Sequence, residues 1–297
     1  MTRQILAKTI LNKTKRRDPW FLDDYTLNPF SGCAFNCLYC YIRGSKYGIN
    51  MEERLSIKSN AGDLLDKQLR NRARKNEYGR IVLASATDPY LQTEKHAELT
   101  RRLLEVILLH RFPIHIITKS DLVLRDIDLL RSIDERAFPP KAAQSNNTRG
   151  VMVTFSFSTH KKELAKIFEP GAPEPQRRIN ALQKYRSNGF LTGASLMPLL
   201  PFITDTEEQL EALYQQLSLA GAQYALPASL TLFGSGPSDS QTLVFNAIAK
   251  HFPELESKYK SLFSDRVQLP HTYRNALRRK VERLSAKYGL PMWIGGA

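Results

Sequence analysis

Acidic residues are scarce in this chain: 29 Asp and Glu stand against 43 Lys and Arg, a formal net charge of +14 with an isoelectric point near 9.7. That deficit favours polyanionic partners, because each Lys or Arg that meets a phosphate releases counterions. Long apolar runs are missing too. None approaches the roughly 18 residues of a membrane-spanning helix, so no membrane partner is expected. Nothing resembles a secretory signal. The acid-free start up to Asp18 has the composition of a transit peptide, but the cysteine motif follows too closely for much of it to be removed. A cytoplasmic location, where thiols stay reduced, is the expectation. There is no P-loop, zinc finger or RNA-recognition signature, no internal repeat and no low-complexity tract.

Cysteine is almost absent. Cys33, Cys37 and Cys40 are the only three in 297 residues, all within the stretch Cys33-Ala-Phe-Asn-Cys37-Leu-Tyr-Cys40. A disulfide there would close a tiny loop and leave an odd thiol. A structural zinc site normally takes four protein ligands. None of the six histidines (His96, His110, His115, His160, His251, His271) lies near the motif in sequence. Zinc completed by a distant histidine and inert core thiols stay open as alternatives. The spacing best suits a 4Fe-4S cubane held by three thiolates with one iron left open.

Around this motif, apolar runs and amphipathic stretches alternate. Strands are expected at Tyr25 to Phe30, Arg80 to Ser85, Ile114 to Thr118, Val151 to Phe157, Leu191 to Met197 and Gln223 to Leu232. Helices are expected at Asp63 to Arg74, Glu94 to His110, Asp121 to Ile133, Pro175 to Ser187 and Thr206 to Ala220. Pro139 to Arg149 reads as a surface excursion. Strand and helix taking turns imply an α/β fold, a parallel sheet curled into a partial (β/α)6 barrel of TIM type with a C-terminal helical extension. The expected division is a basic N-terminal segment 1–24, the barrel 25–233 and the helical extension 234–297. The length fits one barrel-sized domain with an appendage.

In such a barrel the active site lies at the C-terminal strand ends. Those ends carry the cysteine loop, Ser85 to Asp88, Thr118-Lys119, Ser156 and Ser158, Ser195 and Ser229. Lys119 stands out, since an ammonium ending an apolar strand is costly to bury without a partner.

The stretch Asn28-Pro-Phe-Ser-Gly-Cys33-Ala-Phe-Asn-Cys37-Leu-Tyr-Cys40-Tyr41 resembles the cluster loop of the radical S-adenosylmethionine superfamily, including the aromatic Tyr39 before the third cysteine. Ala86-Thr-Asp-Pro-Tyr90 with Glu94, Ile117-Thr-Lys119, Phe155-Ser156 and Phe168-Glu-Pro-Gly171 resemble its spore photoproduct lyase-like, or DNA repair photolyase-like, branch. The resemblance implies a 4Fe-4S cluster on Cys33, Cys37 and Cys40, with the fourth iron chelating S-adenosylmethionine. Reductive cleavage would then give a 5'-deoxyadenosyl radical that takes hydrogen from a substrate, the cofactor carrying the difficult step. It further implies an electron donor such as flavodoxin or ferredoxin. Cofactor contacts fall on Tyr39, Thr87, Asp88, Lys119, Ser156, Ser158 and Arg178, with Arg177 or Arg178 pairing either with Glu169 or with the cofactor. One departure bears on the substrate: where the lyases carry a hydrogen-donating cysteine, this chain has Ser85, whose O–H bond is much stronger than a thiol S–H bond. Tyr90, Tyr39 or Tyr41 would have to relay hydrogen instead, so the catalytic candidates are Ser85 and Tyr90.

Positive charge concentrates in Lys8 to Arg17 and in Tyr273 to Lys287, where Leu277, Val281 and Leu284 share one helical face. The second stretch reads either as a docked helix with a solvated basic side or as a nucleic-acid contact. A DNA or RNA base is the favoured substrate. Radical modification of a peptide or small metabolite, and a non-catalytic iron–sulfur protein that binds nucleic acid, are the alternatives.

Overall fold

The computed structural model describes residues 2–45, 55–83, 85–139 and 149–294. Its strands are β1 (Arg3–Ile5), β2 (Leu11–Lys13), β3 (Tyr25–Leu27), β4 (Phe30–Ser31), β5 (Ser56–Lys58), β6 (Ile81–Leu83), β7 (Ile114–Thr118), β8 (Val151–Phe157), β9 (Leu191–Leu199) and β10 (Ala225–Ser229). Seven of them form one sheet in the order β10-β9-β8-β7-β6-β3-β2. The neighbours from β3 to β10 pair in parallel, and β2 joins the edge antiparallel. A smaller sheet, β1-β5-β4, lies beside the cysteine loop's start. Six parallel strands with helices between them make the expected partial (β/α)6 barrel.

The helices are α1 (Ala61–Arg74), α2 (Glu94–Ala97), α3 (Leu99–His110), α4 (Ile127–Arg136), α5 (Lys162–Phe168), α6 (Pro175–Ser187), α7 (Glu207–Leu219), α8 (Ser240–His251), α9 (Glu256–Phe263) and α10 (His271–Tyr288). α10 docks on α7 through Leu277, Val281 and Leu284, which share the main core with the barrel. Two of its bases are tied to that neighbour, Arg283 to Glu207 and Lys287 to Glu211.

One run of polar groups inside the barrel is satisfied in series. Tyr224 and Thr154 hydroxyls meet at 2.7 Å, Thr154 meets His115 Nε2 at 2.5 Å, and His115 Nδ1 meets the Phe21 carbonyl at 2.9 Å. A carbonyl only accepts, so Nδ1 carries the proton and Nε2 accepts from Thr154. Gly193 makes room for this chain: a Cβ there would sit 2.5 Å from the Tyr224 ring. Residues at the end of the basic N-terminal segment pack into the structure. Trp20, Phe21 and Leu22 pack on Met152, Tyr224, Leu226 and Ile294.

Several elements differ from expectation for identifiable reasons. The strand expected over Tyr25 to Phe30 divides between two sheets at Pro29, which has no N–H for a ladder. The helix expected over Glu94 to His110 breaks at Glu98 (φ 45°), because the Glu94 carboxylate turns back to accept from the N–H groups of Thr100 and Arg101. The helix expected from Asp121 opens as a 3₁₀ turn, Asp121–Asp126, before α4. Most of the expected excursion at Pro139 to Arg149 falls outside the described residues.

Candidate active site

Parallel strands put their C-terminal ends on one rim, and a cavity of about 530 Å³ opens there. Cys33, Cys37, Cys40, Tyr39, Tyr41, Ser85, Thr87, Asp88, Lys119, Ser156, Ser195 and Ser229 all line it. Residues from all six parallel strands or the loops after them therefore converge, as the strand ends implied.

The cysteine loop is held from below. The Phe168 carbonyl accepts from Leu38 N–H at 2.9 Å, and Gly171 N–H donates to the Phe35 carbonyl at 3.0 Å. Glu169, between them, accepts from the hydroxyls of Tyr39 and Ser158 and pairs with Arg178. Burial alone would raise its carboxyl, but Arg178 and Lys119, with hydrogen bonds from Arg178 and Tyr39, override that and hold it at about 2. Asn36 adopts φ 51° inside the loop, and its side chain accepts from Arg43, whose guanidinium also donates to the carbonyls of Cys37 and Ser238. Arg43 is 1% exposed, and no sequence pattern marked it.

The loop after β6 is knitted to its neighbours. Asn28 donates to Ser85 Oγ and accepts from Ala86 N–H, both at 2.8 Å, and Tyr41 donates to the Ser85 carbonyl. Thr87 donates to the Gly32 carbonyl at 2.6 Å. Asp88 accepts from Thr118 Oγ at 2.7 Å and from the N–H groups of Lys119 and Tyr90 at 2.8 and 2.9 Å. Its carboxylate is thus engaged by the chain itself, while burial raises its pKa. Asn28 was not singled out by the sequence, since nothing local distinguishes an Asn at a strand end from an ordinary turn residue.

Three expected residues do not reach the cavity. Tyr90 is fully buried away from it. Arg178 is spent on Glu169 and on the carbonyls of Ser156 and Pro173, and Ser158 on Glu169. These groups support the loop from behind its lining. Lys119 does face the cavity, with its ammonium 5.9 Å from the Tyr39 ring centroid; its charge reaches Glu169 through space, but it forms no close ion pair with a carboxylate among the described residues.

The donor set accommodates a cluster. All three cysteines are free thiols. Burial raises Cys33 to about 11, with Asp88 adding to the effect, and burial also raises Cys37 although Lys119 opposes it. Such thiols become thiolates only with a strong electrophile such as iron. Among the described residues no group of three or more His, Cys, Asp and Glu is gathered closely enough to hold a metal ion. A cubane takes each thiolate at a separate iron and does not need its ligands gathered so closely.

Comparison with known proteins agrees with this geometry. The sequence pattern of the radical SAM superfamily matches residues 27–217. An uncharacterized protein of Mycobacterium bovis is 30% identical over 97% of this chain and 81% of its own length. Spore photoproduct lyase complexed with dinucleoside spore photoproduct superposes with a TM-score of 0.64 at 16% identity, covering 95% of this chain and 78% of the other. Streptococcus suis SuiB bound to precursor peptide SuiA superposes with a TM-score of 0.54 at 12% identity, covering 91% and 47%.

Proposed function

The chain belongs to the radical SAM superfamily and is a radical SAM enzyme, and from that premise we propose that it acts on a nucleic-acid base, in repair or modification. When bound, the 4Fe-4S cluster and S-adenosylmethionine supply a 5'-deoxyadenosyl radical for hydrogen abstraction. Cys33, Cys37 and Cys40 would hold the cluster. Lys119 would pair with the cofactor carboxylate, the Ser156 hydroxyl would add a polar contact, and Thr87 would offer an acceptor to the amino group. Tyr39 shapes the cavity wall with its ring and passes its hydroxyl to Glu169. Arg178, Ser158 and Asp88 position these groups. The convergence of three thiols and Lys119 on one cavity supports this reading above all.

Two observations favour nucleic acid as substrate: the +14 charge, and the likeness in fold to a lyase complexed with dinucleoside spore photoproduct. The fold of SuiB bound to a precursor peptide is also similar, which keeps peptide modification as the second reading. Ser85 in the lining argues for a chemistry that needs no thiol hydrogen donor. A flavodoxin or ferredoxin would supply electrons, and we propose a cytoplasmic setting.

Anaerobically reconstituted protein given dithionite and S-adenosylmethionine should yield 5'-deoxyadenosine. No product from a fully loaded cluster would turn the reading into that of a non-catalytic binding protein. Deuterium exchange between 5'-deoxyadenosine and molecules of a cell extract separates base from peptide.

A further inference from the structure

The loop after β9 exposes a ring that the barrel core does not use. Phe202 lies four residues past Pro198, which lines the cavity. Its φ is 61°, a region rarely occupied by a bulky side chain and ordinarily filled by Gly or Asn. The residue is 36% exposed while Leu200 and Ile203 on either side are buried. Backbone strain of this kind persists only where its surroundings over-determine it, and it clusters where ligands bind.

The surroundings do over-determine it. Phe202 N–H donates to Asp205 Oδ1 at 2.7 Å, and the Tyr273 hydroxyl donates to Asp205 Oδ2 at 2.6 Å. Lys280 donates to the Asp205 carbonyl, and Tyr259 donates to the Pro201 carbonyl at 3.0 Å. Tyr273 meets the Phe202 ring edge-on, with centroids 5.6 Å apart and planes at 82°. Lys258, exposed on α9, carries its ammonium 5.1 Å from the same ring and has no carboxylate partner among the described residues. The result is a fixed, partly exposed ring with a cation over one side, in the loop that follows the C-terminal end of β9.

We propose that Phe202, buttressed by Tyr273 and flanked by Lys258, is a stacking platform for an unpaired base of single-stranded nucleic acid, with Lys258 meeting the adjoining phosphate. An aromatic face accepts any base, and a neighbouring cation selects a ligand that carries anionic charge next to each ring. A neutral peptide side chain would use the ring and leave the ammonium without a counter-charge. The inference rests on the nucleic-acid reading and extends it, placing strand flanking the reacting base on this ring.

Fluorescence anisotropy of the full-length reconstituted protein with a labelled single-stranded oligonucleotide of about 10 residues, within the span such grooves cover, tests it. Phe202→Leu keeps an apolar side chain at the same φ and should weaken binding about tenfold, the scale of one lost base stack. Phe202→Trp should restore it. Lys258→Gln, an exposed change, should lower the slope of log affinity against log salt by about 1. Tight wild-type binding that Phe202→Leu and Lys258→Gln leave unchanged would overturn the platform and spare the nucleic-acid reading. Absence of wild-type binding at low salt, with binding to a peptide instead, would overturn both.

Discussion

Arg178 and Glu169 form the one ion pair among the described residues in which both side chains are fully buried. The pair sits under the cysteine loop, and through the Tyr39 hydroxyl it reaches the residue just before Cys40. Removing either charge leaves the other buried without compensation. Glu169→Gln should therefore cost about 3–5 kcal/mol of stability, as broken buried pairs do. Chemical denaturation of the apoprotein measures it. A loss below about 1 kcal/mol, the level of a surface pair, would show that this pair is not buried in solution.

Lys119 predicts a separation between cluster and cofactor. Lys119→Met keeps the stem and removes the ammonium, so iron and sulfide content should match the wild type. Affinity for S-adenosylmethionine should fall about tenfold or more, since hydrogen bonds to charged groups contribute roughly 1.5–3 kcal/mol. Calorimetric titration of the anaerobic protein with the cofactor reads this directly. Unchanged affinity would remove Lys119 from the cofactor site.

His115 predicts the acid limit. Burial lowers its pKa from 6.5 to about 3, against the hydrogen bond to the Phe21 carbonyl. The unfolded chain binds a proton at His115 throughout that interval and the folded chain does not. Stability from this residue is therefore complete above pH 6.5 and is lost as pH falls towards 3. His115→Gln cannot titrate and should flatten the dependence of melting temperature on pH between those values. An unaltered slope would place the acid sensitivity in the carboxylates instead.

Legibility from sequence followed the reach of each interaction. Ile114–Thr118, Val151–Phe157 and Pro175–Ser187 have the bounds their residues implied, because apolar runs and a Pro at the helix start are local signals. The cavity lining was legible wherever a strand end could be located, which is how Ser195 and Ser229 were found beside the cysteines. Partners distant in sequence were not legible. Tyr90 was a candidate relay in place of a thiol donor, yet it turns into the core. Arg178 was expected to meet either Glu169 or the cofactor, and it is Glu169 that it pairs with. Arg43 joins the cysteine loop to Ser238 across 195 residues, a closure that no local pattern encodes.

Gly171 turns the support of the cysteine loop into a measurable quantity. It is required by close approach, since a Cβ there would meet the Ala34 carbonyl oxygen at 2.2 Å and the Phe35 backbone at 3.0 Å. Backbone on both sides cannot yield as a flexible side-chain tip would, so Gly171→Ala must push Ala34 and Phe35, and with them the segment between Cys33 and Cys37. The barrel does not depend on that contact. Far-ultraviolet circular dichroism should thus stay that of the wild type while iron and sulfide per chain fall after identical reconstitution. Full cluster content in Gly171→Ala would mean that the Phe168-to-Gly171 turn merely lies against the loop and does not set its shape.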